Sequence, residues 1–195
     1  MNSPPVALGF RDHTGWAVAI AATMDGSGVR VLHRDRLTLL DAGLPAQVYH
    51  ASQGMPLDAA RASIAEVLAS SRHTALEEVE QLISILDIGG FRPSAAAIPL
   101  SPAVPTSLER ILAGHTTLHA AEGALYRDVL EETCSALGLR VTRYDPREAA
   151  SVACAVHGLT PGALQDSLAA LGKQLGPPWR ADHKLATAAA LIALR

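Results

Sequence analysis

The chain opens with three apolar stretches separated by turn residues. Val6 to Phe10 is a short apolar run and reads as a strand. Thr14-Gly15 breaks it, and Trp16 to Thr23 (W-A-V-A-I-A-A-T) reads as a second strand. Asp25-Gly26-Ser27-Gly28 is a hairpin turn, because glycine supplies the positive φ values that such turns need. Val29 to Leu40 follows as a third strand, so the chain begins with an antiparallel meander.

The period then changes. Asp41 to Pro56 is loop-like, with Gly43, Pro45, Gly54 and Pro56, and holds a polar-aromatic cluster of Gln47, Tyr49 and His50. From Leu57 to about Leu86, apolar residues recur at helical spacing, with Ser70-Ser71 as the place for a kink or break and Gly89-Gly90 as the stop. Ser94 to Leu100 (S-A-A-A-I-P-L) is a buried strand, and its position after a helix makes it parallel to the first strand. Thr106-Ser107-Leu108-Glu109 has capping-box spacing with Thr106 at the cap. A helix runs from there to about Leu137, with Gly114 and Gly123 as candidate breaks. Arg140 to Tyr144 is a strand. Asp145-Pro146-Arg147-Glu148 starts a helix, and Thr160-Pro161 starts another. Leu175 to Trp179 (L-G-P-P-W) is a linker, and Ala181 to Arg195 is an alanine-rich final helix.

The order is β-β-β-α-β-α-β-α, with a helical pair before the last helix. An α/β mixed sheet follows, three antiparallel strands then parallel ones, with helices on both faces. Residues 1–195 are expected to form one domain, with a helical insertion at about 146–176.

Composition narrows the function classes. Of 195 residues, 49% are apolar and 18% charged, which excludes a disordered chain. The net charge is −3 and only two lysines occur, Lys173 and Lys184, which disfavours a nucleic-acid binder that works through a broad basic surface. No segment has the roughly 18–20 apolar residues of a membrane span. Met1 to Pro5 lacks a basic n-region, so no signal peptide is read and a cytoplasmic location is expected. Cys134 and Cys154 lie in aliphatic helical contexts without metal-ligand spacing, and read as buried thiols.

One constellation carries chemistry. His115, His119, Glu122 and Tyr126 fall at i, i+4, i+7 and i+11, a helical stripe about 60° wide. Histidines at i and i+4 can share a metal, and a carboxylate one turn on can complete or polarise it. The same stripe also reads as a polar seam satisfied by its own hydrogen bonds. Arg11, Asp12 and His13 end the first strand, and Asp182 begins the last helix. Crevices at strand carboxyl ends are the usual ligand sites of open α/β sheets. Arg11, Asp12, His13, His115, His119, Glu122 and Asp182 are therefore expected to meet in one pocket, bordered by His183 and Lys184. Arg30, Arg34 and Arg36 on the third strand read either as phosphate contacts or as a solvated sheet edge.

Several segments resemble the ribonuclease H-like superfamily, and in particular the RuvC-type Holliday-junction resolvases. Val6-Ala-Leu-Gly-Phe followed by Thr14-Gly15-Trp16-Ala17-Val18 is similar to that family's first hairpin. Ala121-Glu-Gly-Ala-Leu-Tyr-Arg, Tyr144-Asp-Pro-Arg-Glu and Asp182 before Ala186 to Leu194 are similar to later segments. The resemblance implies two divalent metals held by about four carboxylates, which activate water and stabilise the leaving oxygen. The chain departs from that pattern. Arg11 fills the first-strand acid slot, and Asp12 comes one residue late, which turns it to the opposite face. Ser101 and Pro102 replace the acid at the end of the later strand, and Leu185 stands where a partner of Asp182 is expected.

Two functional readings stand. In the first, a divalent ion (Mg²⁺, Mn²⁺ or Zn²⁺) assists phosphoester hydrolysis. Glu122, Asp182 and Asp12 ligate or orient the ion, His115 or His119 acts as ligand or general base, and Arg11 neutralises a phosphate. In the second, the domain is a non-catalytic binding or assembly module whose pocket holds a small anion or a partner segment. The apolar last helix and the Gly/Pro-rich loops offer surface for a homodimer.

Overall fold

The computed structural model describes residues 4–195 except Ser27. Met1 to Ser3 of the expected N-terminal segment and Ser27 of the hairpin turn lie outside the described residues. The first three strands are β1 (Val6–His13), β2 (Trp16–Asp25) and β3 (Gly28–Thr38). They are followed by α1 (Val48–Ala51), α2 (Leu57–Ile88), β4 (Pro93–Pro99), α3 (Leu108–Ala113) and α4 (His115–Ala136). β5 (Arg140–Tyr144), α5 (Ala149–His157), α6 (Pro161–Leu175) and α7 (Ala181–Ala193) complete the chain. The sheet order is β3-β2-β1-β4-β5. β1 pairs antiparallel with β2 and parallel with β4, so the meander and the parallel extension both stand as the sequence pattern predicts.

β1 lies in the middle of the sheet and is covered on both faces. Val6, Leu8 and Phe10 join the core formed with α2 and α4, through Val67, Val79, Leu125 and Val129. Ala7 and Gly9 face α7. A Cβ at Gly9 would collide with the Ala186 carbonyl and the Ala190 amide, so only glycine admits α7 at this distance. The small residues of α7 (Ala186, Ala188, Ala189, Ala190) lie against the alanines and branched residues of β1, β2 and β4. This close seating fixes the first turn of α7 beside the end of β1.

Local details revise four expectations. α2 runs unbroken through Ser70-Ser71, because the Ser70 hydroxyl donates to Asp41 Oδ2 (2.8 Å) from the helix surface instead of disrupting the ladder. The cap of α3 is Ser107, not Thr106; its Oγ accepts from Arg110 N at 3.4 Å. Gly114, in extended conformation, separates α3 from α4, whereas Gly123 leaves α4 continuous. Asp145 to Glu148 forms a turn, with Asp145 Oδ1 accepting from Arg147 N (2.8 Å), and α5 begins only at Ala149. Thr160 caps α6 as expected.

The linker after α6 has an owner. Arg34 of β3 donates to the carbonyls of Leu175, Gly176, Pro177 and Pro178 at 2.6–3.1 Å. Trp179 packs against Gly172 and donates to the Leu168 carbonyl at 2.8 Å. The chain is thereby led back over β3 into α7. Among the described residues no helix is long and apolar enough to cross a membrane. Cys134 and Cys154 are buried free thiols.

Candidate functional site

Side-chain alternation at the end of β1 sorts the candidate residues onto two faces. Arg11 and His13 point to α7, and Asp12 points to α4. On the α7 side, Asp182 receives His13 Nε2 at 3.1 Å and lies 3.7 Å from Arg11 Nε. On the α4 side, the buried Asp12 carboxylate receives Arg127 Nε at 2.8 Å. Arg11 reaches around the strand end, with NH1 at 2.7 Å from the Asp12 carbonyl and 3.4 Å from Asp12 Oδ1. Asp182, Arg11, Asp12 and Arg127 therefore form a chain of alternating charge. Beneath it, Tyr144 donates to the Phe10 carbonyl at 2.7 Å; burial and the nearby Asp12 carboxylate push its phenol pKa up, so it stays a donor.

Arg127 also donates to the Leu100 carbonyl at 2.8 Å. It lines a crevice of about 440 Å³ at the carboxyl ends of β4 and β5, with Leu100, Ser101, Pro102, Asp145, Pro146 and Arg147. At the mouth of β1 the His13 ring stacks on Trp16, with centroids 4.0 Å apart, and Arg36 lies over the Trp16 ring at 4.2 Å. Of the third-strand arginines, Arg34 is taken by linker carbonyls, and Arg30 lies 3.6 Å from Asp25.

The helical stripe is a second locus. All four of its residues face one segment, 46–50. Tyr126 donates to the Ala46 carbonyl at 2.7 Å. Glu122 Oε1 accepts from the backbone N–H groups of Tyr49 (2.8 Å) and His50 (3.1 Å) and lies 3.3 Å from His50 Nδ1. His115 Nε2 and His119 Nε2 are 3.2 Å apart, and the His119 ring centroid is 4.6 Å from that of His50. Each of the three histidines brings one ring nitrogen within 4.8 Å of the others. Glu122 is 3% exposed, and its Oε2 has no hydrogen-bond partner among the described residues. Burial raises its pKa, while the hydrogen bonds from His50 and Tyr49 oppose the rise.

The single expected pocket is thus corrected. Asp182 does not join His115, His119 and Glu122; it sits with α7 on the other face of the sheet. Asp12 and Asp182 are themselves on opposite faces of β1. His183 turns back to its own helix start, where Nδ1 accepts from Arg180 N at 3.3 Å; burial, Arg34 and Arg180 lower its pKa. His50 and Arg127 are the residues that sequence reasoning did not assign to a site. His50 had a signal in the polar-aromatic cluster of the loop, but nothing in spacing joined it to a helix about 70 residues away.

No protein-family model and no curated protein sequence matches this chain. Solved structures do. The chain is similar to Thermus thermophilus RuvC in complex with a Holliday junction substrate, with TM-score 0.52 and 15% identity over 96% of this chain and 91% of that one. It is likewise similar to the Thermus thermophilus RuvC structure, with TM-score 0.50 and 16% identity over 96% and 92%. The fold is the ribonuclease H-like fold of RuvC.

Within that fold, the chain's residues do not fit the acid cluster that the resemblance implies. A pair of hard divalent ions needs carboxylates converging on one face. Here the position on the α7 face of β1 belongs to Arg11, whose guanidinium is beside Asp182. Asp12 is inside the opposite face with Arg127. At the end of β4, Ser101 instead donates to Asp128 Oδ1 at 3.0 Å.

Proposed function

We propose that the chain is a non-cleaving phosphoester-binding module on the RuvC fold, with the crevice at the ends of β4 and β5, and the charge chain at the end of β1 beside it, as its site. One observation carries this reading. Arg11 stands in the first-strand acid position and bridges Asp182 and Asp12, so a cationic donor takes the place of a metal ligand, linked through Asp12 to the Arg127 that lines the crevice. The acids in the charge chain are held, Asp12 almost completely buried, while the side chains of Arg11 (28% exposed) and Arg127 (19% exposed) are partly open to solvent. Arg147 lines the same crevice. Guanidinium groups suit phosphate because their fork geometry matches its oxygens. The stacked His13 and Trp16 offer an aromatic edge beside them. A strand of nucleic acid has the chemistry to meet both, and the RuvC neighbour is bound to a Holliday junction substrate.

The site is small. Two or three guanidinium groups engage one or two phosphates, so binding is weak and its salt dependence shallow compared with proteins that make six to ten such contacts. The test is fluorescence anisotropy with labelled single-stranded and four-way-branched oligonucleotides over a salt series, with Mg²⁺ or Mn²⁺ present and the products run on a denaturing gel. Binding at low salt, weakened by Arg127→Ala or Arg147→Ala, with the oligonucleotides intact, is the expected result. No binding even at low salt overturns the proposal. Cleavage that Asp12→Asn or Asp182→Asn abolishes would replace it with a metal-dependent nuclease.

A further inference from the structure

We infer that His50, His115 and His119 form a three-histidine site for a first-row divalent transition ion such as Zn²⁺ or Co²⁺, with Glu122 orienting His50 from behind. The inference stands apart from the crevice at the strand ends and does not depend on what binds there.

The donor geometry is the first argument. Two nitrogens on one tetrahedral ion, at metal–nitrogen distances of about 2.0–2.1 Å, lie about 3.3 Å apart. His115 Nε2 and His119 Nε2 are 3.2 Å apart. The rings are splayed, not stacked: the planes of His115 and His119 meet at 76°, and those of His50 and His119 at 56°. Splayed rings let their nitrogens converge on one point. The third donor comes from α1, so the site ties the loop before α2 to the start of α4.

The support behind the ligands is the second argument. A metal-bound histidine usually gives its other ring N–H to a carboxylate, which fixes the tautomer. Glu122 Oε1 lies 3.3 Å from His50 Nδ1 and is itself held by two backbone N–H groups. With the proton on Nδ1, the Nε2 lone pair of His50 is the one left for a ligand. Among the described residues Glu122 has no lysine or arginine partner in its hydrogen bonds and ion pairs, and its Oε2 is unpartnered. A dication held by His50 supplies the positive charge that this buried carboxylate otherwise lacks.

The donor set also selects the ion. Three imidazoles favour borderline ions such as Zn²⁺, Co²⁺ and Ni²⁺, whereas Mg²⁺ and Ca²⁺ prefer oxygen ligands. His115 and His119 are exposed, so a fourth coordination position faces solvent. Three protein ligands plus an open position is the arrangement of zinc sites that carry a water or a substrate on the ion, not of closed structural ones.

The experiment uses the full chain stripped with chelator and titrated with Co²⁺, read by its visible ligand-field absorption, and with Zn²⁺ in competition. One equivalent per chain is expected, with Mg²⁺ giving no competition. His115→Ala and His119→Ala are at exposed positions, so circular dichroism should be unchanged while Co²⁺ affinity falls. Glu122→Gln keeps an acceptor for the α1 amides and should lower affinity about 10–100-fold without changing the stoichiometry. The ligand variants should lose more than that. Absence of stoichiometric binding at micromolar Co²⁺ overturns the site. So does binding that survives in the His115→Ala/His119→Ala double variant, which would place the ion elsewhere.

Discussion

Arg127 Nε lies 2.8 Å from Asp12 Oδ2, tying the middle of α4 to the carboxyl end of β1. The acceptor is 4% exposed and the donor 19%. Arg127→Met leaves the buried carboxylate with only the longer contact to Arg11, and is expected to lower stability by about 1.5–3 kcal/mol, the range for a hydrogen bond to a charged group. Asp12→Asn keeps an acceptor without a buried charge and should cost less. Urea midpoints at constant m give both values, and the double variant should show non-additivity because the residues touch.

Two glycines make an opposed pair. Gly9→Ala puts a methyl group into the backbone of α7, with no flexible side chain to yield. The expected loss exceeds the about 1–3 kcal/mol of ordinary overpacking, and the variant should be largely unfolded or insoluble. At Gly123→Ala the nearest atom is the Arg127 side chain at 3.8 Å, an ordinary contact. In mid-helix the change should stabilise the protein by up to about 1 kcal/mol. Nothing in the structure explains the glycine at this position. Thermal melts of the two variants, compared with the parent, check both signs.

Arg34 holds four consecutive carbonyls of the linker. Arg34→Lys keeps the charge but loses the planar fork, and cannot reach all four acceptors. Faster hydrogen exchange is expected at Gly176 and from Trp179 through the first turn of α7. Slowed or unchanged exchange there would mean that the linker is positioned by Trp179 alone.

Burial pushes the Cys134 thiol up to about 12. Its folded pKa therefore lies above the unfolded value of about 8.5. The stabilisation is fully present below that unfolded value and is lost as pH rises toward the folded one. The limiting slope is about 1.4 kcal/mol per pH unit. Cys134→Ala removes this alkaline dependence, and should also forfeit some packing at every pH. Stability measured by urea from pH 7 to 10.5 separates the two effects. In the native protein at pH 8, alkylation of Cys134 should follow unfolding and not thiolate chemistry.

The sheet was legible because β1, β2 and β4 are short apolar runs with clear breaks, and because a strand after a helix has few places to go. The face assignment of Arg11 against Asp12 followed from strand alternation alone. The His115, His119, Glu122 and Tyr126 stripe was also legible, since helical spacing places its members on one face. What that face meets was not. Segment 46–50 approaches through a loop, and loop paths follow from tertiary contacts such as Tyr126 to Ala46, which leave no periodic trace. The expected single pocket failed for the same reason. Spacing places residues on a face of their own element but does not say which face of the sheet that element covers. Arg34 shows a further limit: an arginine on an edge strand looks the same in sequence whether it meets solvent, phosphate or a row of carbonyls.

The alternating row Asp182, Arg11, Asp12, Arg127 has a kinetic meaning. Two positive and two negative charges in close succession cancel within a few ångströms, and the whole chain carries −3. Such an arrangement projects little potential into solvent, so an approaching polyanion gains nothing until it touches. Its association should run near the unsteered rate of about 10⁵–10⁶ M⁻¹s⁻¹, and added salt should barely slow it. Any preference among ligands would then reside in how long each one stays.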